Sequence, residues 1–261
     1  MIQWLDVCRA CVADVRTVLD ELPTRHEREP VLGQGLGGDD TTAVDRAAED
    51  AIVAHFRDLD VTIVSEEVGR LGTGDTVVVI DPIDGSLNAK RGIPFFSVSI
   101  AIADGERMGD VHTAYVYDFG SGEEWVARRG RGATLNGERL TVRPKGRIEI
   151  LSFEATLTSL VARDAPKVEA LAYRLRIMGS LAISLCHLAA GRVDAVCSLK
   201  RARAVDIAAA QLLVRETGLA IELFDDPRAF VDAELDLEGR SRVAAAGTPD
   251  LCKQVADALS A

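Results

Sequence analysis

The chain has 261 residues, 48% of them hydrophobic and 27% charged, with a formal net charge of −11. That is enough material for one large domain or two halves with a sizeable core. The acidity argues against nucleic acid as the main partner, because phosphate backbones select basic surfaces. A small phosphorylated ligand stays admissible where a bound cation offsets its charge.

No apolar run approaches the ~20 residues needed to cross a bilayer. Met1-Ile2-Gln3-Trp4-Leu5-Asp6 has neither the basic start nor the apolar centre of a signal peptide. A cytoplasmic protein without a membrane partner is expected. Five cysteines, an odd number, read as reduced thiols. The four histidines are scattered and give little support to a histidine metal site or a Ser/His/Asp triad.

In chain order, a first helix is predicted over residues 4–22, ending before Pro23. Its Cys8 and Cys11 share one face with Val12, Val15 and Leu19, so the C-x-x-C reads as core packing. The glycine-rich stretch from Gly33 to Asp40 reads as a loop, and no Gly-Lys-Ser/Thr follows to make it a Walker motif. A second helix is predicted over residues 43–59, with Asp45 in its first turn. Strand-like runs at 61–64, 77–80, 96–103, 110–117 and 124–128, with a hairpin at Asn136-Gly137, predict an antiparallel sheet. After the break at 143–147 the pattern alternates. Strands are expected near 148–153, 175–178, 194–197, 219–223 and 243–246, and helices near 165–173, 180–190, 206–217 and 249–259. That is an α+β half, residues 1–143, followed by an α/β half, residues 148–261. The acidic stretch 225–238 reads as solvated surface.

The chemistry concentrates in Asp81-Pro82-Ile83-Asp84-Gly85-Ser86, at the end of the β-branched run Val77-Val78-Val79-Ile80. Pro82 forbids normal continuation of a strand, so two carboxylates three apart can turn toward one point. The Ile83 carbonyl, freed from ladder pairing, can join them in an oxygen set suited to a hard divalent cation such as magnesium. Gly85 and Ser86 amides suit a phosphate oxygen. An Asp-Pro turn in a plain loop is the competing reading of the same residues. Three further acids stand at element ends: Glu66 after the strand 61–64, Asp45, and Asp206 at a helix start, where an N-cap is the alternative role. On local evidence Asp45 and Glu66 read equally well as solvated carboxylates.

Together these residues resemble the inositol monophosphatase superfamily of magnesium-dependent, lithium-sensitive sugar-phosphate phosphatases. The likeness rests on Val44-Asp45-x-x-x-Glu49, on Ser65-Glu66-Glu67, and on Asp81 to Ser86 followed by Asn88 and Gly92-Ile93-Pro94-Phe95-Phe96. It extends to Gly130-Arg131-Gly132-Ala133-Thr134-Leu135-Asn136-Gly137 and Val205-Asp206-Ile207-Ala208-Ala209. The resemblance implies a layered αβαβα sandwich, usually a homodimer. It implies Mg2+, two or three per site, with Mn2+ as a substitute. Glu66, Asp81 and the Ile83 carbonyl would hold one ion, and Asp81, Asp84 and Asp206 a second. Asp45, Glu66 and Ser86 would serve the attacking water, and Gly85 and Ser86 the phosphate. Arg176, Ser180, Leu181, Lys200 and Arg201, with Asp84 and Asp206, match the substrate-contacting region. Leu199 departs from the pattern, which often has glutamate there in inositol-phosphate-selective relatives and arginine in archaeal dual-specificity ones. The implied substrates are inositol monophosphate and fructose 1,6-bisphosphate. The alternatives are a 3′-phosphonucleotide or NADP phosphatase, or a non-catalytic regulatory, RNA-polymerase-associated member of the fold.

Overall fold

The computed structural model describes residues 2–36 and 40–260. It opens with α1 (Trp4–Glu21), whose buried Cys8, Cys11, Val12, Val15 and Leu19 form the single apolar face that their spacing predicts. A short helix α2 (Arg25–Arg28) leads to β1 (Val31–Gln34) and β2 (Asp40–Thr42), which pair antiparallel. The glycine-rich stretch, expected as loop, is thus partly hairpin, and Gly37, Gly38 and Asp39 lie outside the described residues. Helix α3 (Ala43–Ala54) follows Thr42 and ends earlier than predicted, residues 55–58 forming turns.

Eight strands then make the first sheet: β3 (Val61–Ser65), β4 (Gly69–Leu71), β5 (Thr76–Asp84), β6 (Ser97–Ala103), β7 (Val111–Asp118), β8 (Glu124–Arg128), β9 (Gly132–Leu135) and β10 (Glu138–Arg139), with helix α4 (Ser86–Arg91) between β5 and β6. Their spatial order is β10-β9-β8-β7-β6-β5-β3-β4. The sheet is mixed, not purely antiparallel, because β3 and β5 run parallel. The β3–β4 hairpin turns outward to the sheet edge, so β5 must return on the other side of β3.

The second sheet has the order β12-β11-β13-β15-β14, from β11 (Ile148–Glu154), β12 (Ala172–Arg176), β13 (Ala195–Ser198), β14 (Ala220–Leu223) and β15 (Val243–Ala246). Its helices are α5 (Thr158–Asp164), α6 (Leu181–Ala189), α7 (Ala204–Ile207), α8 (Ala210–Glu216) and α9 (Pro249–Ser260). Three expectations fail here. The helix expected at 165–173 lies earlier, at α5, because Pro166 opens a 3-10 turn and the next residues enter β12. The helix expected over 206–217 is two helices, α7 and α8. The stretch 225–238 is not plain surface, since Ala233 and Leu235 are buried and Phe230 and Leu237 pack on the core.

Alternation along the strands assigns the layers. Val78 and Ile80 on β5, with Val98, Ile100 and Ile102 on β6, face α1 and α3. Val77, Val79, Ala101 and Ala103 face the opposite way, against α6 and α8. Val196, Val243 and Ala245 of the second sheet share that middle core, while Leu151, Phe153, Cys197 and Ala244 turn to α5 and α9. The result is the αβαβα stack the resemblance implied. Each fully buried valine or isoleucine contributes about 1.5–3 kcal/mol, and the two-sided burial of β5 fixes its register against a one-residue slip.

Candidate active site

β5 does not stop at Pro82. It runs to Asp84 and absorbs the proline in a bulge: Asp81 pairs with Ser99 and Asp84 with Ser97, so three steps on β5 face two on β6. A proline, lacking the N–H, is tolerated within a sheet at such a place. Asp81 is 3% exposed and its Oδ1 accepts the Ile83 amide at 3.1 Å. The Ile83 carbonyl accepts the Ser86 hydroxyl at 2.9 Å, so it is already partnered but retains a second lone pair. Gly85 has φ +90°, and a Cβ there would stand 3.0 Å from the Gly179 carbonyl and 3.1 Å from that of Phe95. Only glycine fits this crossing of the two halves. Asn88 seals it, donating from Nδ2 to the Phe95 and Met178 carbonyls, each at 2.8 Å.

The second half delivers its groups through the start of α6. Ser180 caps that helix and donates its hydroxyl to Asp84 Oδ2, which also accepts the Ala182 amide at 2.8 Å. Behind them the buried Glu154 accepts the Gly179 amide at 2.8 Å and the Ser184 hydroxyl at 2.8 Å, fixing the turn that carries Ser180. Sequence reasoning missed Glu154, since an acid at a strand end carries no motif.

Arg203 falls within the run Leu199 to Arg203 that resembles the family's substrate-contacting region, though the sequence alone assigns it no role of its own. Its Nη2 donates to Glu66 Oε1 at 2.6 Å and to Asp206 Oδ1 at 3.1 Å. Asp206 is not the first residue of its helix but the third of α7, and its Oδ2 accepts the Arg203 amide at 2.7 Å. The signal was present as three-residue capping spacing. Asp45 sits likewise on α3, where its Oδ2 accepts the Thr42 amide and hydroxyl. Its Oδ1 is buried without a hydrogen-bond partner among the described residues. The glutamate pair divides its labour. Glu66 turns to Arg203, while Glu67 takes the Thr41 hydroxyl and so ties the β1–β2 segment. Glu49 positions both, its Oε1 accepting the Glu67 and Val68 amides at 3.0 and 3.1 Å and the Ser65 hydroxyl.

Four acids from three distant segments therefore act on one another. Burial, then the charges of Glu66, Asp84 and Asp206, push the Asp81 carboxyl well above its ordinary range. Burial raises Glu66 to about 7, with Arg203 opposing and Asp206 adding to the rise. Asp84 also reaches about 7 through burial, although Ser180 and Ala182 oppose it. Among the described residues, no group of three or more histidines, cysteines or acids is already arranged around one ion position. The donor chemistry nonetheless fits a hard cation: hard oxygen donors carrying more negative charge than one guanidinium offsets.

Beside these acids, Gly179, Leu181, Lys200, Arg201, Arg203 and Arg240, with Asp84 and Asp206, line a cavity of about 170 Å³. Arg240 was not singled out by the sequence. Arg201 is exposed and pairs with Asp225 at 3.3 Å. The structure does not bring Arg176 to this cavity: it lies on edge strand β12 and lines a separate cavity with Arg147 and Tyr173. Leu199, 3% exposed, packs into the core.

A layered αβαβα fold with a bulged Asp-Pro-Ile-Asp-Gly-Ser strand end is the architecture of a sugar-phosphatase class. Residues 7–260 match the model of the inositol monophosphatase family. The chain is 34% identical over 245 residues to the fructose-1,6-bisphosphatase/inositol-1-monophosphatase of Archaeoglobus fulgidus, covering 93% of this chain and 92% of that protein. It is 39% identical over 191 residues to the Nus factor SuhB of Pasteurella multocida, covering 69% and 70%. The solved structure of an inositol monophosphatase–fructose 1,6-bisphosphatase superposes with a TM-score of 0.87 at 26% identity, over 98% of this chain and all of that one. The chain belongs to the inositol monophosphatase family, a family of phosphatases.

Proposed function

We propose that the protein hydrolyses a phosphomonoester of a small sugar or polyol, inositol monophosphate or fructose 1,6-bisphosphate, with Mg2+. The observation that supports this most is the convergence of Glu66 and Asp206 on one Arg203 nitrogen, with Asp84 and Asp206 lining the same cavity. Glu66, Asp81, Asp84, Asp206 and the Ile83 carbonyl would hold the cation. When bound, Mg2+ supplies charge neutralisation at the phosphate and makes water nucleophilic at neutral pH.

The remaining work falls to the chain's own groups. Asp45 Oδ1, buried and without a partner among the described residues, is suited to accept a proton from the attacking water. Ser86, fixed by its bond to the Ile83 carbonyl, can orient that water through its oxygen lone pairs. The Gly85 and Ser86 amides would receive the phosphate. Ser180 and the Ala182 amide keep Asp84 in one orientation. Lys200, Arg201 and Leu181 would border the substrate, with Arg201 weakened by its pairing to Asp225. The cavity lies between the halves we take as residues 1–143 and 148–261, and we expect a homodimer in solution.

The test is phosphate release with and without Mg2+ from inositol 1-phosphate, fructose 1,6-bisphosphate, a 3′-phosphonucleotide and NADP. Turnover confined to the nucleotides would favour the phosphonucleotide reading, and no turnover on any would sink the enzymatic one. Similarity to a Nus factor favours one further reading, a regulatory protein that binds the transcription machinery. Retention of the acid cluster weighs against that as the sole role, since a binding surface has no need of buried, mutually repelling carboxylates.

A further inference from the structure

Both oxygens of Asp206 are engaged at the start of its own helix. Oδ2 accepts the Arg203 amide at 2.7 Å, and Oδ1 accepts the Arg203 guanidinium at 3.1 Å. The first bond begins α7 and cannot be given up without fraying it. The second is a side-chain contact and can be exchanged. The same guanidinium nitrogen reaches Glu66 Oε1 at 2.6 Å. Arg203 is only 7% exposed, so the bridge is desolvated and its loss cannot be made good by water.

We infer that Arg203 is the protein's own competitor for the cation that Asp206 would help to hold. The inference rests on the metal reading proposed above. Each Asp206 oxygen keeps a second lone pair, but a cation bound at either one comes against the Arg203 charge. A divalent ion must therefore displace the guanidinium or bind beside it against like-charge repulsion. Arg203 thus compensates the clustered acids when no cation is bound, and weakens cation binding when one is. An ion held by Glu66, Asp81 and the Ile83 carbonyl meets the same competition, because the guanidinium also holds Glu66 Oε1.

The experiment uses the full chain as wild type, Arg203→Met and Arg203→Lys. Mg2+ binding is read by titration calorimetry, and thermal midpoints are read in EDTA and in saturating Mg2+. Methionine keeps an apolar stem of similar reach and removes the charge. Mg2+ binding should tighten about tenfold, the release of one charge-assisted bond, while the metal-free midpoint falls. Those opposed signs separate competition from plain structural support, whose loss lowers the midpoint without tightening any site. Unchanged or weakened affinity in Arg203→Met overturns the inference. Should that variant fail to fold, Arg203→Lys decides. A single ammonium cannot hold both carboxylates in a fork, so a smaller tightening is expected, and unchanged affinity overturns the inference. A wild type that binds no Mg2+ would sink the metal reading as well. A wild type that binds it, with both variants unaltered, sinks the role of Arg203 alone.

Discussion

Asp84 is oriented before any ligand arrives, because Oδ2 is held from the other half of the molecule by the Ser180 hydroxyl and the Ala182 amide. Asparagine at this position would meet a conflict. Its Nδ2 either faces the Ala182 N–H, where an acceptor is needed, or faces the pocket, where it offers a donor to a cation. Asp84→Asn should therefore lower Mg2+-dependent phosphate release by about a hundredfold or more, with the fold retained by circular dichroism. Wild-type turnover in that variant would remove Asp84 from the machinery. The basic residues divide by position. Lys200 lines the cavity, Arg201 lines it while pairing with Asp225, and Arg176 lines another cavity altogether. Lys200→Ala should lower kcat/KM for fructose 1,6-bisphosphate by about 10- to 150-fold, the loss of one charged phosphate contact. Arg201→Ala should cost less, and Arg176→Ala should leave both substrates unaffected. Inositol 1-phosphate, lacking a distal phosphate, should be spared by all three, and equal losses on both substrates would place Lys200 at the scissile phosphate.

At the scale of elements, the bulge in β5 and the turn at Gly179 make one joint, with Gly85 against the Gly179 carbonyl and Asn88 bonded to the Met178 carbonyl. Gly85→Ala would force a side chain into a left-handed conformation and against two carbonyl oxygens. It should destabilise the protein by about 1–3 kcal/mol, read as a lower denaturant midpoint at unchanged slope. An unchanged midpoint would mean that the joint yields. The sequence made half of this joint readable. The run Val77–Ile80 and the Asp-Pro-Ile-Asp string announce a broken strand end, since apolar alternation and proline act locally. That the strand resumes as a bulge was not legible, because the resumption depends on Ser97 and Ser99 of β6. The same holds for the bonds of Glu49 to Glu67, Glu154 to Gly179 and Arg203 to Glu66, which span 18, 25 and 137 residues. The helix misplaced at 165–173 failed for a local reason: Tyr173, Arg174 and Leu175 suit a helix as well as an edge strand, and the parallel pairing with β11 decided it.

Across the whole molecule, the stack of layers brings Glu66, Asp81 and Asp84 from the first sheet against Asp206 and Arg203 from the second half, and burial then makes their charges expensive. Without a cation, Glu66 and Asp84 stand near 7 and Asp81 is raised further from its ordinary range, mainly through burial. An acid raised on folding contributes stability while protonated and loses it as pH rises through its folded value, because the unfolded chain has already released the proton. Glu67, Glu154 and Glu222 are raised by burial as well and act in the same direction. Asp225, Glu124 and Asp164 are lowered by their arginine partners, so their contribution is lost only on acidification below the ordinary carboxylate range. His112 and His187 are lowered by burial and act below about 6.5, the ordinary histidine value. Between pH 6.5 and 8, then, the metal-free protein should lose stability. Each unit of upward shift corresponds to about 1.4 kcal/mol, and a chain of this size melts about 2–4 °C lower for each kcal/mol lost. Much of that loss has already occurred by pH 6.5, so thermal melts in EDTA should show a midpoint only a few degrees lower at pH 8 than at pH 6.5, the part of the shift that remains. In saturating Mg2+ the two midpoints should draw closer together, since the cation supplies the charge that the protons supplied at lower pH. A metal-free midpoint that holds steady or rises across this range would mean that burial and mutual repulsion do not raise these acids, and would remove a main support of the functional reading.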